Sequence, residues 1–244
     1  MNWVEECATV IPCFNEAGTI ENIVTRVRRE LPHVIVVDDG SHDTTAACAA
    51  SAGAEVVRER VNAGKGAALA AGWRRARASG FAWAMTLDGD GQHAPEDIPA
   101  FFPRAEATGA ALVIGDRMDN PGAMPWLRRQ VNRWMSRRLS RDLGVEVADS
   151  QCGFRLVDLR AWERLPHTAS RFEVESELLV RFVAAGCAVA SVPVRVIYET
   201  ERSKIHPLLD TWRWFRWWFA HRNLVHASLG GARDCAAPVA SSEI

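Results

Sequence analysis

The chain has 244 residues, 48% apolar and 24% charged, with a formal net charge of −1. That length and composition suit a soluble α/β protein with a sizeable core, in one large domain or two small ones, and the near-neutral charge excludes a general nucleic-acid binder. Six cysteines (Cys7, Cys13, Cys48, Cys152, Cys187 and Cys235) make no C-x-x-C pair or disulfide-framework spacing, so they read as reduced thiols of a cytosolic protein.

Residues 1–6 lack the basic-then-apolar order of a signal peptide. No apolar run approaches the roughly 20 residues of a membrane-spanning helix. The expectation is a soluble or peripheral protein.

In the first half, short apolar runs alternate with helical patterns. Residues 8–14 are expected as a strand and 16–31 as a helix. Residues 34–37 form a second buried strand that ends at Asp38-Asp39-Gly40-Ser41, followed by a helix over 44–52 and a strand around 55–57. A helix over 65–79 precedes the strand 81–87, and a helix over 95–107 precedes the strand 111–114. This βαβα order predicts an α/β fold with a mostly parallel central sheet flanked by helices. Ligands of such sheets bind beyond the carboxyl ends of the strands, and each polar motif of this half lies at such an end.

The second half is less regular. Residues 125–143 read as an arginine-rich amphipathic helix, 172–185 as another helix, 189–198 as a strand and 206–229 as a tryptophan-rich helix. Residues 230–244 are small and polar, the composition of a disordered tail. Neither a repeat nor a linker interrupts the rest, so 1–229 is expected to be a single domain.

The sharpest chemical signal is Asp88-Gly89-Asp90-Gly91-Gln92-His93. Two carboxylates one residue apart at a strand end make a compact oxygen site for Mg²⁺ or Mn²⁺, ions that keep open positions for substrate phosphates. The intervening glycines let the backbone turn tightly and approach a ligand. A calcium loop is excluded, because Gln92 and His93 stand where it needs Asp or Asn and then Gly. Alone, an acidic Gly-rich turn more often ends a strand without binding anything, so the weight rests on its neighbours. Asn62-Ala63-Gly64-Lys65-Gly66 is no P-loop, since Glu59 replaces the first glycine and Gly66 the Ser or Thr; Gly64 to Leu69 also fails the dinucleotide fingerprint at its last position.

Taken in order, Ile11-Pro12-Cys13-Phe14-Asn15-Glu16, Val37-Asp38-Asp39-Gly40-Ser41, Asn62 to Gly66, Asp88 to His93 and Ile114-Gly115-Asp116-Arg117 resemble the family 2 glycosyltransferases over about residues 9–204. Asp149-Ser150-Gln151-Cys152-Gly153-Phe154-Arg155 and Tyr198-Glu199-Thr200-Glu201-Arg202-Ser203-Lys204-Ile205 are similar to the branch that contains dolichyl- and polyprenyl-phosphate sugar synthases. The resemblance implies the GT-A nucleotide-sugar fold and inversion at the anomeric carbon by direct displacement. Pro12, Asn15 and Glu16 would then line the nucleoside pocket with Asp39, Gly40 and Ser41, the Asp39 carboxylate accepting hydrogen bonds from base or ribose and Asp38 serving structure. Lys65, opening a helix after a Gly-rich turn, would meet phosphate, favoured by its ammonium and by the helix dipole; a solvated helix-start lysine is the plainer reading. Asp88, Asp90 and Gln92 would hold Mg²⁺ or Mn²⁺, which neutralises charge on the departing nucleoside diphosphate. His93 receives no role.

Asp149 stands where many members place a general base. A hydroxyl acceptor needs one, because its proton must leave as the bond forms. A phosphate monoester acceptor does not, since its second pKa lies near ~6. Cations are then wanted to hold that anion, and Arg117, Arg155, Arg202 and Lys204 are the candidates, each against the plainer reading of a surface cation.

In 125–143, Leu127, Val131, Trp134, Met135 and Leu139 fall largely on one side, with Arg128, Arg129, Arg133, Arg137, Arg138 and Arg141 around them. Such a helix lies on an anionic membrane or packs on a core with a solvated basic face; the lipid acceptor favours the first. In 206–229, Leu208, Trp212, Phe215 and Phe219 make an apolar stripe, while Trp214, Trp217 and Trp218 lie off it beside Arg213, Arg216 and Arg222. Off-stripe tryptophans suit a membrane interface or a contact between copies of the chain.

The resulting expectation is a metal-dependent enzyme that moves a sugar from a UDP- or GDP-sugar to a polyprenyl or dolichyl phosphate, peripheral on the cytoplasmic face of a membrane and not a nucleic-acid binder. The runner-up is transfer to a hydroxyl of a glycan or lipid, with Asp149 as base. From other classes come a sugar nucleotidyltransferase, which needs a Gly-rich phosphate loop that Pro12 to Glu16 lacks, and a non-catalytic nucleotide-binding membrane module, which would tolerate loss of the D-x-D.

Overall fold

Cys7–Cys13 (β1) is buried along almost its whole length because it is paired on both edges, in parallel, with Val34–Asp38 (β2) and Trp83–Thr86 (β4). A strand covered on every side reads as a continuous apolar run rather than an alternation, which is why both β1 and β2 were conspicuous in sequence. The computed structural model describes residues 1–119, 122, 124–166, 174–197, 214–216 and 218–219. Glu55–Arg58 (β3), Leu112–Asp116 (β5), Arg155–Asp158 (β6) and Val189–Pro193 (β7) complete a seven-stranded sheet in the order β3-β2-β1-β4-β6-β5-β7. Only β6 runs antiparallel to its neighbours, with Thr86 opposite Arg155 on one edge and Ile114 opposite Arg155 on the other.

The helices dock by short apolar stripes. Ile20–Glu30 (which follows the short helix Trp3–Glu6, α1, and is therefore α2) buries Ile20, Ile23, Val24 and Val27, the one-face spacing of an amphipathic helix, each side chain contributing about 1.5–3 kcal/mol of burial. Thr45–Ser51 (α3) and Lys65–Ala78 (α4) follow β2 and β3. Gly72 of α4 presses so closely on the sheet that a Cβ there would stand 2.3 Å from Val10 Cγ1 and 2.9 Å from Val37 Cγ2. That contact brings the first turn of α4, and Lys65 with it, over the carboxyl ends of β1 and β4. A 3-10 turn at Pro95–Asp97 leads into Ile98–Thr108 (α5), and Trp126–Leu143 (α6), Leu159–Glu163 (α7) and Val174–Ala184 (α8) make up the second half.

Three elements were silent in sequence. In β6 a buried arginine heads a four-residue strand, so there is neither an apolar run nor an alternation. α7 is one turn long and starts on a cap, the Asp158 carboxylate accepting from the Arg160 and Ala161 amides at 2.8 and 3.1 Å. α1 is held by tertiary packing, with Trp3 stacked on Phe102 and edge-on to Trp83. The strand expected over 189–198 ends at Pro193, apart from a single bridge between Val196 and His93.

In the tryptophan-rich segment the described off-stripe rings turn inward, while the stripe itself divides, with Phe215 packed on the core. Trp214, off the apolar stripe, is buried and donates from Nε1 to Ser176 Oγ at 3.0 Å. Trp218 donates to Asp142 Oδ2 at 3.1 Å and lies under the Arg138 guanidinium. Phe219 of the stripe is 56% exposed. Indole N–H groups with buried partners on α8 and α6 turned these rings inward, which an apolar periodicity does not register. Leu208, Trp212, Arg213, Trp217, Arg222 and the tail 230–244 lie outside the described residues.

Candidate active site

The carboxyl ends of β1 and β2 are laced into one surface. Asn15 has φ 55°, alone among the described non-glycine residues in the left-handed region, a conformation Asn tolerates better than most side chains. Its amide donates to Ser41 Oγ at 2.9 Å and its Oδ1 accepts from the His42 amide at 2.9 Å. The Ser41 amide in turn donates to Asp38 Oδ1, and the Glu16 amide to Thr45 Oγ1, both at 2.9 Å. Asp38 is thus structural, as expected.

Asp39 ties the end of β2 to the turn before α4. Its carboxylate accepts from the Ala63 and Gly64 amides, 2.8 Å each, and is buried. It fixes the turn that launches α4, and each oxygen keeps a further lone pair for a donor. Gly40, at φ +75°, makes this approach feasible, since a Cβ would sit 2.9 Å from the Asn62 amide nitrogen and the Val61 carbonyl carbon.

The D-x-D packs directly against β1. A Cβ on Gly89 would stand 2.7 Å from Cys13 Sγ, and the Gly89 carbonyl accepts from Thr19 Oγ1 at 2.6 Å. Pro12, half-buried at the end of β1, and Glu16 border the same loop. Asp90 Oδ1 accepts from the Gln92 amide at 3.0 Å, and the Gln92 carbonyl accepts from the Ile197 amide at 3.0 Å.

Asp88 is the electrostatic centre. Lys65 Nζ lies 2.5 Å from Asp88 Oδ1 and 2.5 Å from Glu175 Oε1. On the other side, His93 Nε2 is 3.5 Å from Asp88 Oδ2, its buried ring resting on Phe154. Burial alone would push the Asp88 pKa up, but the Lys65 ammonium and His93 outweigh it and hold the carboxyl well below the usual range. Burial would lower the Lys65 pKa, and the Asp88 and Glu175 carboxylates overcome that and raise it. Both groups are therefore charged near neutrality.

Asp88, Asp90 and Gln92 offer hard oxygen donors of the kind Mg²⁺ and Mn²⁺ take. The buried Asp88 Oδ1 accepts no directed hydrogen bond and is met by a cation, Lys65. Among the described residues no group of three or more His, Cys, Asp and Glu is disposed to hold a metal by itself.

Asp149, the candidate base, lies in the interior. It is fully buried and accepts from Arg117 Nε at 2.6 Å, Arg117 Nη2 at 3.0 Å and Asn132 Nδ2 at 2.8 Å. Burial opposes its charge, yet Arg117 and Asn132 prevail and lower its pKa. A carboxylate so held has little tendency to take a proton. Arg117 correspondingly turns its guanidinium to Asp149 and is itself buried. Arg155 is also interior: it donates to the carbonyls of Cys152, Glu175 and Ser150 at 2.7, 2.7 and 2.8 Å. It therefore shapes the 150–153 segment and the start of α8 instead of facing an acceptor. Arg202 and Lys204 lie outside the described residues.

Sequence reasoning missed Glu175, Asn132 and Gly153. Glu175 is separated from Lys65 by 110 positions, and an acidic residue in a helix's first turn is unremarkable. On α6 the apolar residues divide: Met135 and Leu139 are buried, whereas Trp126, Leu127 and Trp134 are 72%, 51% and 45% exposed, beside exposed Arg137 and Arg141.

Comparison with known proteins identifies the family. Polyprenol monophosphomannose synthase of Mycolicibacterium smegmatis is 31% identical over 199 residues, covering 76% of this chain and 75% of that protein. The UDP-N-acetylglucosamine–dolichyl-phosphate N-acetylglucosaminyltransferase of Methanococcus voltae is 29% identical over 212 residues, covering 78% and 84%. The crystal structure of glucosyl-3-phosphoglycerate synthase from Mycobacterium tuberculosis with UDP superposes with a TM-score of 0.67 at 23% identity, covering 89% of this chain and 80% of that one; the shared architecture is the GT-A fold. The model of glycosyl transferase family 2 matches residues 9–165, the stretch that carries every strand-end motif of the donor half, and the chain belongs to that family.

Proposed function

We propose that the protein transfers a sugar, with inversion, from a UDP- or GDP-sugar to a polyprenyl- or dolichyl-type lipid phosphate on the cytoplasmic face of a membrane. The observation that carries this reading is the meeting of the strand-end D-x-D with an ammonium at the N-terminus of α4, Lys65 against Asp88. Anionic ligands for a metal and cationic ligands for a diphosphate converge there, beside the loops at 12–16 and 39–41. Relatives named for polyprenol and dolichyl phosphates support the acceptor class.

Asp88, Asp90 and Gln92 would hold Mg²⁺ or Mn²⁺, which when bound neutralises charge on the leaving diphosphate. Lys65 and the free amides of the first turn of α4 bind the phosphates. The acceptor phosphate, already anionic, attacks the anomeric carbon as the bond to the nucleoside diphosphate breaks, and the electron pair departs with the diphosphate. No proton acceptor is required, which accords with the ion-paired burial of Asp149. With Arg117 and Arg155 turned to Asp149 and to carbonyls, Arg202 and Lys204 are proposed to hold the acceptor phosphate. The exposed Trp126, Leu127, Trp134 and Phe219, with Arg137 and Arg141, supply a surface for peripheral docking. Among the described residues no helix is long and apolar enough to cross a membrane.

The test is mass spectrometry of the protein incubated with Mn²⁺, UDP- or GDP-hexoses and a polyprenyl phosphate. A polyprenyl-phosphate hexose is expected. Product formed on hydroxyl acceptors alone would establish the runner-up, and a nucleotide sugar made from a nucleoside triphosphate and a sugar phosphate would establish a nucleotidyltransferase.

A further inference from the structure

Lys65 is shared between two carboxylates, and the second, Glu175, belongs to none of the donor-site motifs. The ammonium lies 2.5 Å from each, and only 14% of the Glu175 side chain is exposed. Arg155 fixes the backbone beneath it by donating to the Glu175 carbonyl at 2.7 Å. Gly153 forms the wall behind: a Cβ there would stand 2.9 Å from Lys65 Nζ and 2.6 Å from Asp88 Oδ2. The ammonium is thus confined between the two anions. One positive charge between two negative ones leaves the trio net negative; Asp90 adds to that, and the buried Arg155 guanidinium, within electrostatic reach of Glu175 and Asp88, offsets part of it. A diphosphate reaching the first turn of α4 meets a cation whose field is already cancelled.

We propose that Glu175 is a positioning residue that makes nucleoside diphosphate binding conditional on the divalent cation: it neutralises Lys65 until a metal held by Asp88 and Asp90 cancels the local negative charge. With Asp88 committed to the metal that it would hold with Asp90, Glu175 would keep the lysine beside the helix N-terminus, where the phosphates would arrive. The inference rests on the donor-site reading above. It differs from a purely structural role in the sign of its effect, because a misfolded wall would weaken binding with and without metal alike.

Isothermal titration of UDP and of GDP, each with Mn²⁺ and with EDTA, tests this on the full chain. The wild type should bind one of the two tightly with Mn²⁺ and at least about tenfold more weakly in EDTA. In Glu175→Gln the EDTA affinity should rise on the order of fivefold, through the uncovered Lys65 charge, while the Mn²⁺ affinity holds or falls. The gain should vanish in the double variant Lys65→Met, Glu175→Gln. An unchanged or weaker EDTA affinity in Glu175→Gln overturns the proposal and leaves the donor site standing. If Glu175→Gln does not melt cooperatively, Glu175→Asp takes its place: a carboxylate withdrawn by one methylene should shift the EDTA affinity in the same direction by a smaller factor, and no shift overturns the proposal. A wild type that binds neither nucleotide with Mn²⁺ removes the donor reading and this inference together.

Discussion

Arg117 and Asp149 meet in a bidentate pair inside the protein, Nε to Oδ2 at 2.6 Å and Nη2 to Oδ1 at 3.0 Å, with the Arg117 amide donating to the same Oδ2 at 3.2 Å. Asn132 of α6 completes the set at 2.8 Å. The end of β5, the middle of α6 and the segment before β6 are therefore joined at one carboxylate.

Asp149→Asn should act first on stability. Breaking a buried ion pair from one side leaves the other charge uncompensated and costs about 3–5 kcal/mol, read as a lowered midpoint in urea. Because the folded pKa of Asp149 is depressed, its contribution is complete above the ordinary carboxylate pKa near ~3.9 and disappears as pH falls through the lower folded value. The gap between wild type and variant should stay constant from pH 7 to about pH 4 and close only below that. Residual turnover should show the wild-type pH profile; a pH-dependent loss of 10²–10⁴-fold, the mark of a missing general base, would favour the hydroxyl acceptor.

Asp90→Asn removes an anionic ligand without changing volume. Turnover should fall below detection, and UDP or GDP should no longer bind more tightly with Mn²⁺ than with EDTA. The melting temperature without nucleotide should stay within a degree or two, as expected for a half-buried side chain whose recorded hydrogen bond an amide oxygen can still accept. Full activity in this variant, or in EDTA, would defeat the metal assignment.

Arg155→Lys keeps the charge but loses the planar fork that reaches three carbonyls. A buried acceptor left unpaired costs about 1–3 kcal/mol, so chemical denaturation should reveal a loss of that size. Nucleotide affinity with Mn²⁺ should hold or fall, as in Glu175→Gln, since Glu175 loses its anchor. An acceptor-binding arginine would instead raise the KM for lipid phosphate and leave stability untouched.

Anionic liposomes should float the protein at low salt, and high salt should weaken but not abolish the binding, because basic residues near such a surface contribute about 1 kcal/mol each while inserted apolar groups are insensitive to salt. Trp126→Ser with Leu127→Ser should remove the salt-insensitive part, and Arg137→Glu with Arg141→Glu the salt-sensitive part. All four positions are exposed, so nucleotide binding should be unaffected. Failure of the wild type to float would leave the exposed aromatics as a contact between copies of the chain.

The donor half was legible because β1, β2 and β4 are buried and its polar residues cluster at the strand ends. Asp38, Lys65, Asp88 and Asp90 could be placed on one rim from spacing alone, since a parallel sheet sends every strand end the same way. The second half resisted because its elements are defined by polar partners far away in sequence. β6 opens on an arginine bonded to three carbonyls, Asp149 is explained by Arg117 and Asn132, and Trp214 is turned inward by Ser176. Periodicity reports an apolar face and says nothing about a buried arginine with a full set of acceptors.

The reversal at β6 has a consequence for how this chain can change. β5 leaves the sheet and β6 re-enters it at facing ladder positions, Ile114 and Arg155, so everything between them, α6 and its exposed aromatics included, is an excursion with both feet on the same rim. Residues added or lost there displace no rung of β1, β2 or β4, and the metal and nucleotide side keeps its register. A wholly parallel sheet would have sent the chain back across the opposite edge first. Here α6 and its exposed aromatics can be lengthened, recharged or exchanged as a cassette, provided that Gly153 at the far end of the excursion keeps its place against Lys65 and Asp88.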